Sequence, residues 1–162
     1  MTQSPAPSLS WHNGSEAAKR SLLAASHHWD NTPEAEQWIL QALAEPEPDL
    51  DVWVSAYRFF FYKNNNPMAL QMAQQVIARV QAAEQLPQDW AQLGPILAQR
   101  KEEPVIRLYL NAYAASGFVL ARLGQTEQAK VIAAQVQSID DRNEFGAKTV
   151  WEILTQPADE EE

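Results

Sequence analysis

Apolar residues recur along this chain at helical spacing. Trp53, Tyr57 and Phe60 stand at i, i+4 and i+7, and Ala147, Val150, Trp151 and Leu154 at i, i+3, i+4 and i+7. Each set marks one face of a 3.6-residue helix. No segment of strand length alternates polar and apolar positions between turns. Stretches such as 67–83 have no Gly and few β-branched residues. The pattern predicts an all-α chain. Composition sharpens it: 25 Ala and 16 Gln, both good helix formers, make up about a quarter of the 162 residues, against 5 Gly.

The helix punctuation repeats. Thr32-Pro33-Glu34-Ala35 and Asn66-Pro67-Met68-Ala69 each read as a capping residue followed by Pro at the first helical position, and they lie 34 residues apart. Ala35, Ile39, Ala42 and Leu43 have counterparts at Ala69, Ala73, Val76 and Ile77. A third start at Thr126-Glu127 leads into Ala129, Ala133 and Val136, offset by 60 from Ala69, Ala73 and Val76. Upstream, Tyr113, Gly117 and Leu120 match Trp53, Tyr57 and Phe60 at the same offset of 60, and Leu22 and Leu23 occupy that stretch in the first unit.

A 34-residue period of two helices, with small residues at fixed places in the second helix, resembles the tetratricopeptide repeat. The third unit carries the likeness best. Tyr113, Gly117, Leu120, Gly124, Ala129 and Asp140 fall where that repeat has an aromatic, a small residue, an apolar residue, the inter-helix Gly, an Ala and the closing turn. The second unit departs at Tyr57, in the small position, and at Asn64, in place of the turn Gly; the first departs at Leu23. The resemblance implies a right-handed superhelix of helical hairpins with a C-terminal capping helix. Its expected layout is a tail over 1–14, one domain over 15–155 and an acidic tail over 156–162. Within the domain lie repeats 16–49, 50–83 and 110–143, an insertion over 84–109 and a capping helix over 142–155. In the insertion, Pro87-Gln88-Asp89-Trp90 reads as a helix start, Gly94-Pro95 as a break or kink, and Pro104 as the start of a long helix. Asp141-Arg142-Asn143-Glu144 has the spacing of a capping box ahead of the last stripe. Such a helix would cover the end of a solenoid.

Charge and residue usage narrow the chemistry. With 12 Lys and Arg against 21 Asp and Glu, the formal charge is −9. That argues against nucleic acid, whose phosphates need cations, and against an anionic membrane surface. No apolar run approaches the roughly 18 residues of a spanning helix. Residues 1–10 have neither the basic start nor the apolar stretch of a secretory signal. A cytoplasmic protein is expected. Without Cys there is no disulfide, thiolate metal site or Cys nucleophile.

His27, His28 and Asp30 have metal-ligand chemistry, but adjacent helical side chains point about 100° apart, so the two imidazoles do not chelate one ion. No metal or cofactor is assigned. The chain lacks phosphate-cradling Gly-rich loops and a nucleophile elbow, so no catalytic residue is assigned and no enzyme is expected.

In tetratricopeptide proteins the first helix of each pair lines the concave groove. By that resemblance the partner-binding residues are Arg20, His27 and His28 from the first unit, Arg58, Phe61 and Tyr62 from the second, and Asn111, Phe118 and Arg122 from the third. The same register would add Asp51 and Val54. Three cations beside three aromatics would suit an amphipathic helix or extended peptide with acidic and apolar side chains. The carboxylate clamp of repeats that bind chaperone tails is not reproduced: Arg20 fits its first position, but Ala24, Ser55 and Ala115 replace its polar residues. The expected function is therefore protein binding, as an adaptor, dedicated chaperone or assembly factor. Size, acidity and repeat number resemble the small tetratricopeptide chaperones of bacterial secretion. Two rivals share the pattern: a helical protein responsive to a small molecule or metal through His27, His28 and the aromatics, and a structural homo-oligomer such as a homodimer.

Overall fold

The computed structural model describes residues 16–155. The tails expected at 1–14 and 156–162 lie outside the described residues. Among those described, all regular structure is helical: α1 (Glu16–His27), α2 (Thr32–Leu43), α3 (Leu50–Tyr62), α4 (Asn66–Ala83), α5 (Trp90–Gln99), α6 (Pro104–Arg122), α7 (Thr126–Gln137) and α8 (Ala147–Thr155). The chain is all-α there, as the hydrophobic spacing predicts. It divides into two compact units, Met1–Val76 and Ile77–Glu162, with the boundary inside α4.

In the first unit α1 packs on α2 and α3, and α2 on α3. Leu22, Ala35, Ile39, Tyr57 and Phe60 are buried, as the stripes require. Phe59 is buried too, so α3 is apolar around more of its circumference than one stripe suggests. Its ring meets Trp29 edge-on at 5.5 Å. Lys63 locks this corner: its Nζ donates to the Trp29 carbonyl at 2.7 Å and lies 4.5 Å from the indole centroid.

The caps sit one residue earlier than the sequence pattern suggests. Asn31, not Thr32, accepts the Glu34 N–H at 3.2 Å, and Asn65, not Asn66, accepts the Met68 N–H at 3.3 Å. An Asn carboxamide reaches the third N–H ahead of it, and the Pro follows in the first turn, where no N–H is needed. The 34-residue spacing is unchanged, because both caps shift together.

The turns after α3 and α6 are copies. Lys63, Asn64 and Asn65 donate backbone N–H groups to Phe59, Phe61 and Phe60, at 2.9, 3.1 and 2.9 Å. Leu123, Gly124 and Gln125 donate to Val119, Ala121 and Leu120, at 2.9, 3.1 and 2.8 Å. Both turns need one left-handed residue, which is Asn64 at φ 62° and Gly124 at φ 85°. Asn tolerates that conformation better than other side-chain-bearing residues. The apparent departure at Asn64 is thus no departure in geometry.

In the second unit α6 packs on α7 and α8, and α7 on α8. A Cβ on Gly117 would come within 2.8 Å of Ile132 Cγ2, so at this small position α6 and α7 approach too closely for a larger side chain. Ala129 beside it is fully buried. Two expectations are corrected. Helix α5 runs through Gly94-Pro95, so of the break or kink expected there the break does not occur. Proline clashes with the Cβ of the residue before it, and Gly94 has none. The last helix begins at Ala147, not at 142. The carboxylate that organises its approach is Asp140, whose two oxygens accept the Glu144 and Phe145 N–H groups at 2.7 Å each, so residues 141–146 form a loop.

Candidate partner-binding surfaces

The nine residues expected to face a partner fall into two sets, one in each unit. In the first unit, Arg20 is exposed on α1 and His27 is exposed at its end. His28 is exposed after it, with Nε2 3.5 Å from Glu34 Oε2. Arg58 and Phe61 are half-buried on α3, and Tyr62 is 54% exposed. The Phe61 and Tyr62 rings meet edge to face at 5.8 Å. Val54, placed in the groove by register, is instead buried in the core. It belongs to the same α3 turn as Ser55, Ala56 and Tyr57, all buried. Burial also pushes the Tyr57 phenol above its ordinary value, with the Arg58 cation opposing. Among the described residues no group of three His, Cys, Asp or Glu side chains is arranged to hold a metal ion.

In the second unit, α6 carries Asn111, half-buried, together with Phe118 and Arg122. The Arg122 guanidinium lies over the Phe118 ring, 4.4 Å from its centroid. Phe118 is 38% exposed. Together with Ala121 they form one wall of a groove of about 250 Å³, and Val150, Ile153 and Leu154 of α8 form the other. The groove is apolar apart from that guanidinium. Ile153 is 64% exposed beside it, a side chain the sequence stripe left out.

A second concavity, about 390 Å³, was not foreseen from sequence. It is lined by Trp90 and Leu93 of α5, Tyr109 and Tyr113 of α6, Gln135 of α7, and Ile77, Gln81 and Gln88. Trp90 stacks on Tyr113 with ring centroids 6.3 Å apart and planes 19° apart, and Tyr109 follows Tyr113 at 5.8 Å and 31°. Tyr109 is buried, which pushes its phenol up to about 12, with Tyr113 adding to the shift. The Tyr113 hydroxyl bonds Gln135 Oε1 at 2.5 Å. Tyr109 and Tyr113 stand at i, i+4, so their contact was readable from spacing. Trp90 was not, because it comes from outside the repeat register.

A third cluster is charged and balanced. Lys101 holds Asp141 at 3.1 Å, Arg107 holds Glu144 at 2.8 Å, and Arg142 reaches Glu144 at 3.2 Å and Glu102 at 3.8 Å. These pairs tie the loop before α8 to the start of α6. The Lys101 ammonium and the Arg107 guanidinium hold the Asp141 and Glu144 carboxyls below their ordinary range. Cations and carboxylates here pair with one another, so the cluster has the character of a clasp.

No helix among the described residues is long and apolar enough to cross a membrane. No family model matches the chain, and no solved structure matches it. A curated relative does: the "Uncharacterized 19.8 kDa protein in nifW 5′region" of Azotobacter chroococcum mcd 1 is 32% identical over 136 residues, which span 82% of this chain and 75% of the relative. With that identity carried across most of both chains, this protein belongs to the family of the Azotobacter protein.

Proposed function

We propose that this protein is a non-catalytic, cytoplasmic interaction module built of tetratricopeptide-like hairpins. It acts as an adaptor, dedicated chaperone or assembly factor by holding a partner segment in the groove between α6 and α8. The hairpin reading is supported by the close approach at Gly117 and Ala129 and by the repeated left-handed turn at Asn64 and Gly124. The single observation that carries the function is the Phe118–Arg122 stack on the lip of an otherwise apolar groove. Aromatic and Arg side chains dominate interface energies, because they bury area and carry hydrogen-bonding heads. The complementary partner is an amphipathic segment that puts apolar side chains into the groove and a carboxylate against Arg122.

The test places a photo-crosslinking side chain at position 118 in the native host and maps the adduct. The mapped segment, made as a peptide, should bind the wild type. Phe118→Ala should weaken it by about 2 kcal/mol, roughly thirtyfold. Arg122→Glu should act mainly on the association rate and its salt dependence. Adducts only to a second copy of this chain, or a peptide indifferent to both substitutions, would overturn the proposal.

A further inference from the structure

Helix α8 is held firmly at its N-terminal end and lightly beyond it. Its buried side chain is Ala147, the first residue of the helix. Further along, Val150, Trp151 and Leu154 are only half-buried, and Glu152, Ile153 and Thr155 are exposed. The polar attachments lie at the same end as Ala147. Asp140 accepts the Glu144 and Phe145 N–H groups, and Asn143 Oδ1 accepts the Lys148 N–H at 3.3 Å. Lys101 and Arg107 grip Asp141 and Glu144 from outside the loop.

The groove lies at the other end of both helices. Along α6, Phe118 and Arg122 are about 16 and 22 Å from Arg107, and along α8, Ile153 is about 9 Å from Ala147. The ion pairs therefore sit at a pivot, and the groove wall is the far arm of the lever.

We propose that α8 is a movable wall that swings about residues 143–146 on the microsecond-to-millisecond timescale, opening and closing the α6–α8 groove, with Lys101–Asp141 and Arg107–Glu144 as its catch. This device rests on the reading of that groove as the partner site.

The backbone supplies the pivot. Asn143 and Gly146 bracket it in left-handed conformations, at φ 54° and 76°. Gly146 has no Cβ, so it changes φ at little steric cost. A rotation of about 20° at the pivot carries Ile153 about 3 Å, enough to admit or exclude a side chain. Segments with few buried apolar contacts open most readily, and beyond Ala147 no side chain of α8 is buried. The opposite wall does not share this freedom. Helix α6 is locked to α7 at Gly117 and Ile132, and Ala129, Ala133 and Val136 of α7 are buried.

The catch is built to release. The Asp141 side chain is 73% exposed and the other three partners are about a third exposed. Such pairs are individually weak and are screened by salt. Arg107 also lies against the Phe145 ring, so its loss frees the loop at two points.

The experiment is ¹³C-methyl relaxation dispersion on the full chain, at about 20 and 500 mM NaCl, for wild type and a Lys101→Ala/Arg107→Ala variant. Val150, Ile153 and Leu154 should share one exchange process, and Val136 should not take part. The minor-state population should rise at least about threefold in the double variant and in high salt. Should the double variant fail to fold, the salt series of the wild type decides. Flat dispersion at all three α8 residues in both proteins would overturn the proposal. So would exchange that Val136 shares, which is unfolding of the whole unit, or a population indifferent to both the variant and salt. These measurements need no partner. Moving α8 methyls without any adduct at position 118 would sink the partner reading alone, and adducts beside rigid methyls would sink the movable wall alone.

Discussion

At Gly117 two residue-scale effects oppose each other. In a helix interior Gly→Ala ordinarily gains about 1 kcal/mol of propensity. Here the new Cβ would meet Ile132 Cγ2 at 2.8 Å and its Cβ at 3.2 Å. A β-branched side chain cannot swing that near atom aside, so α6 and α7 must part, at about 1–3 kcal/mol. Gly117→Ala should therefore destabilise by denaturant melting. With Ile132→Ala as background, the cost of the same change should shrink, because only the 3.2 Å contact with the Cβ remains. Ala129→Leu and Ala69→Leu, both at buried positions, should each cost about 1–3 kcal/mol. Midpoints equal to wild type in all of them would place the close approach elsewhere. These small positions were legible in the sequence because close helix packing leaves no alternative to a small side chain. Asn64 was harder to read: its left-handed φ shows only in the backbone, and Asn is also common where no such turn exists.

At the scale of elements, spacing located the helices well and their ends less well. A stripe fixes which face is buried, but a cap depends on which carboxamide or carboxylate reaches a given N–H. Asn31 over Thr32, and Asp140 over Asp141, were close contests that only coordinates decide. The loop before α8 owes its shape to the second of these. Asp140 folds it from within, while Lys101–Asp141 fastens it to the turn before α6 and Arg107–Glu144 to α6 itself. Arg107 also lies 5.3 Å from the Phe145 ring centroid. Both carboxyls titrate below their ordinary values of 3.8 and 4.5 in the fold. The unfolded chain therefore binds more protons in that window. The stabilisation is present above it and is lost as pH falls through the lowered values. Wild type should melt higher than Arg107→Ala near neutral pH, with a gap that narrows below about pH 4.5 and at high salt. A gap that is constant with pH would mean the Arg107–Glu144 pair contributes nothing through ionisation.

For the whole molecule, the all-helical class was carried by composition and period together, and the division into two units was not. The α6 half of the Phe118 groove was legible because one register runs through that helix. The α8 half was not: Val150 and Leu154 read as residues covering a core, and Ile153 lay off the stripe. Trp90 was invisible as a site residue because it sits in the insertion, outside every repeat. Exposed Ile153, Val131 and Phe118 now set the protein-binding reading against self-association, since an apolar surface can be covered by a partner or by a second copy. Net charge of −9 opposes bringing two copies together. The partner-binding reading therefore predicts a monomer of 18.2 kDa by sedimentation equilibrium from about 1 to 100 µM. Phe118→Ala and Ile153→Ser should leave that mass unchanged. If the wild type instead sediments as a dimer and either substitution returns it to a monomer, the α6–α8 groove is a homotypic interface, and the partner it was proposed to hold is its own copy.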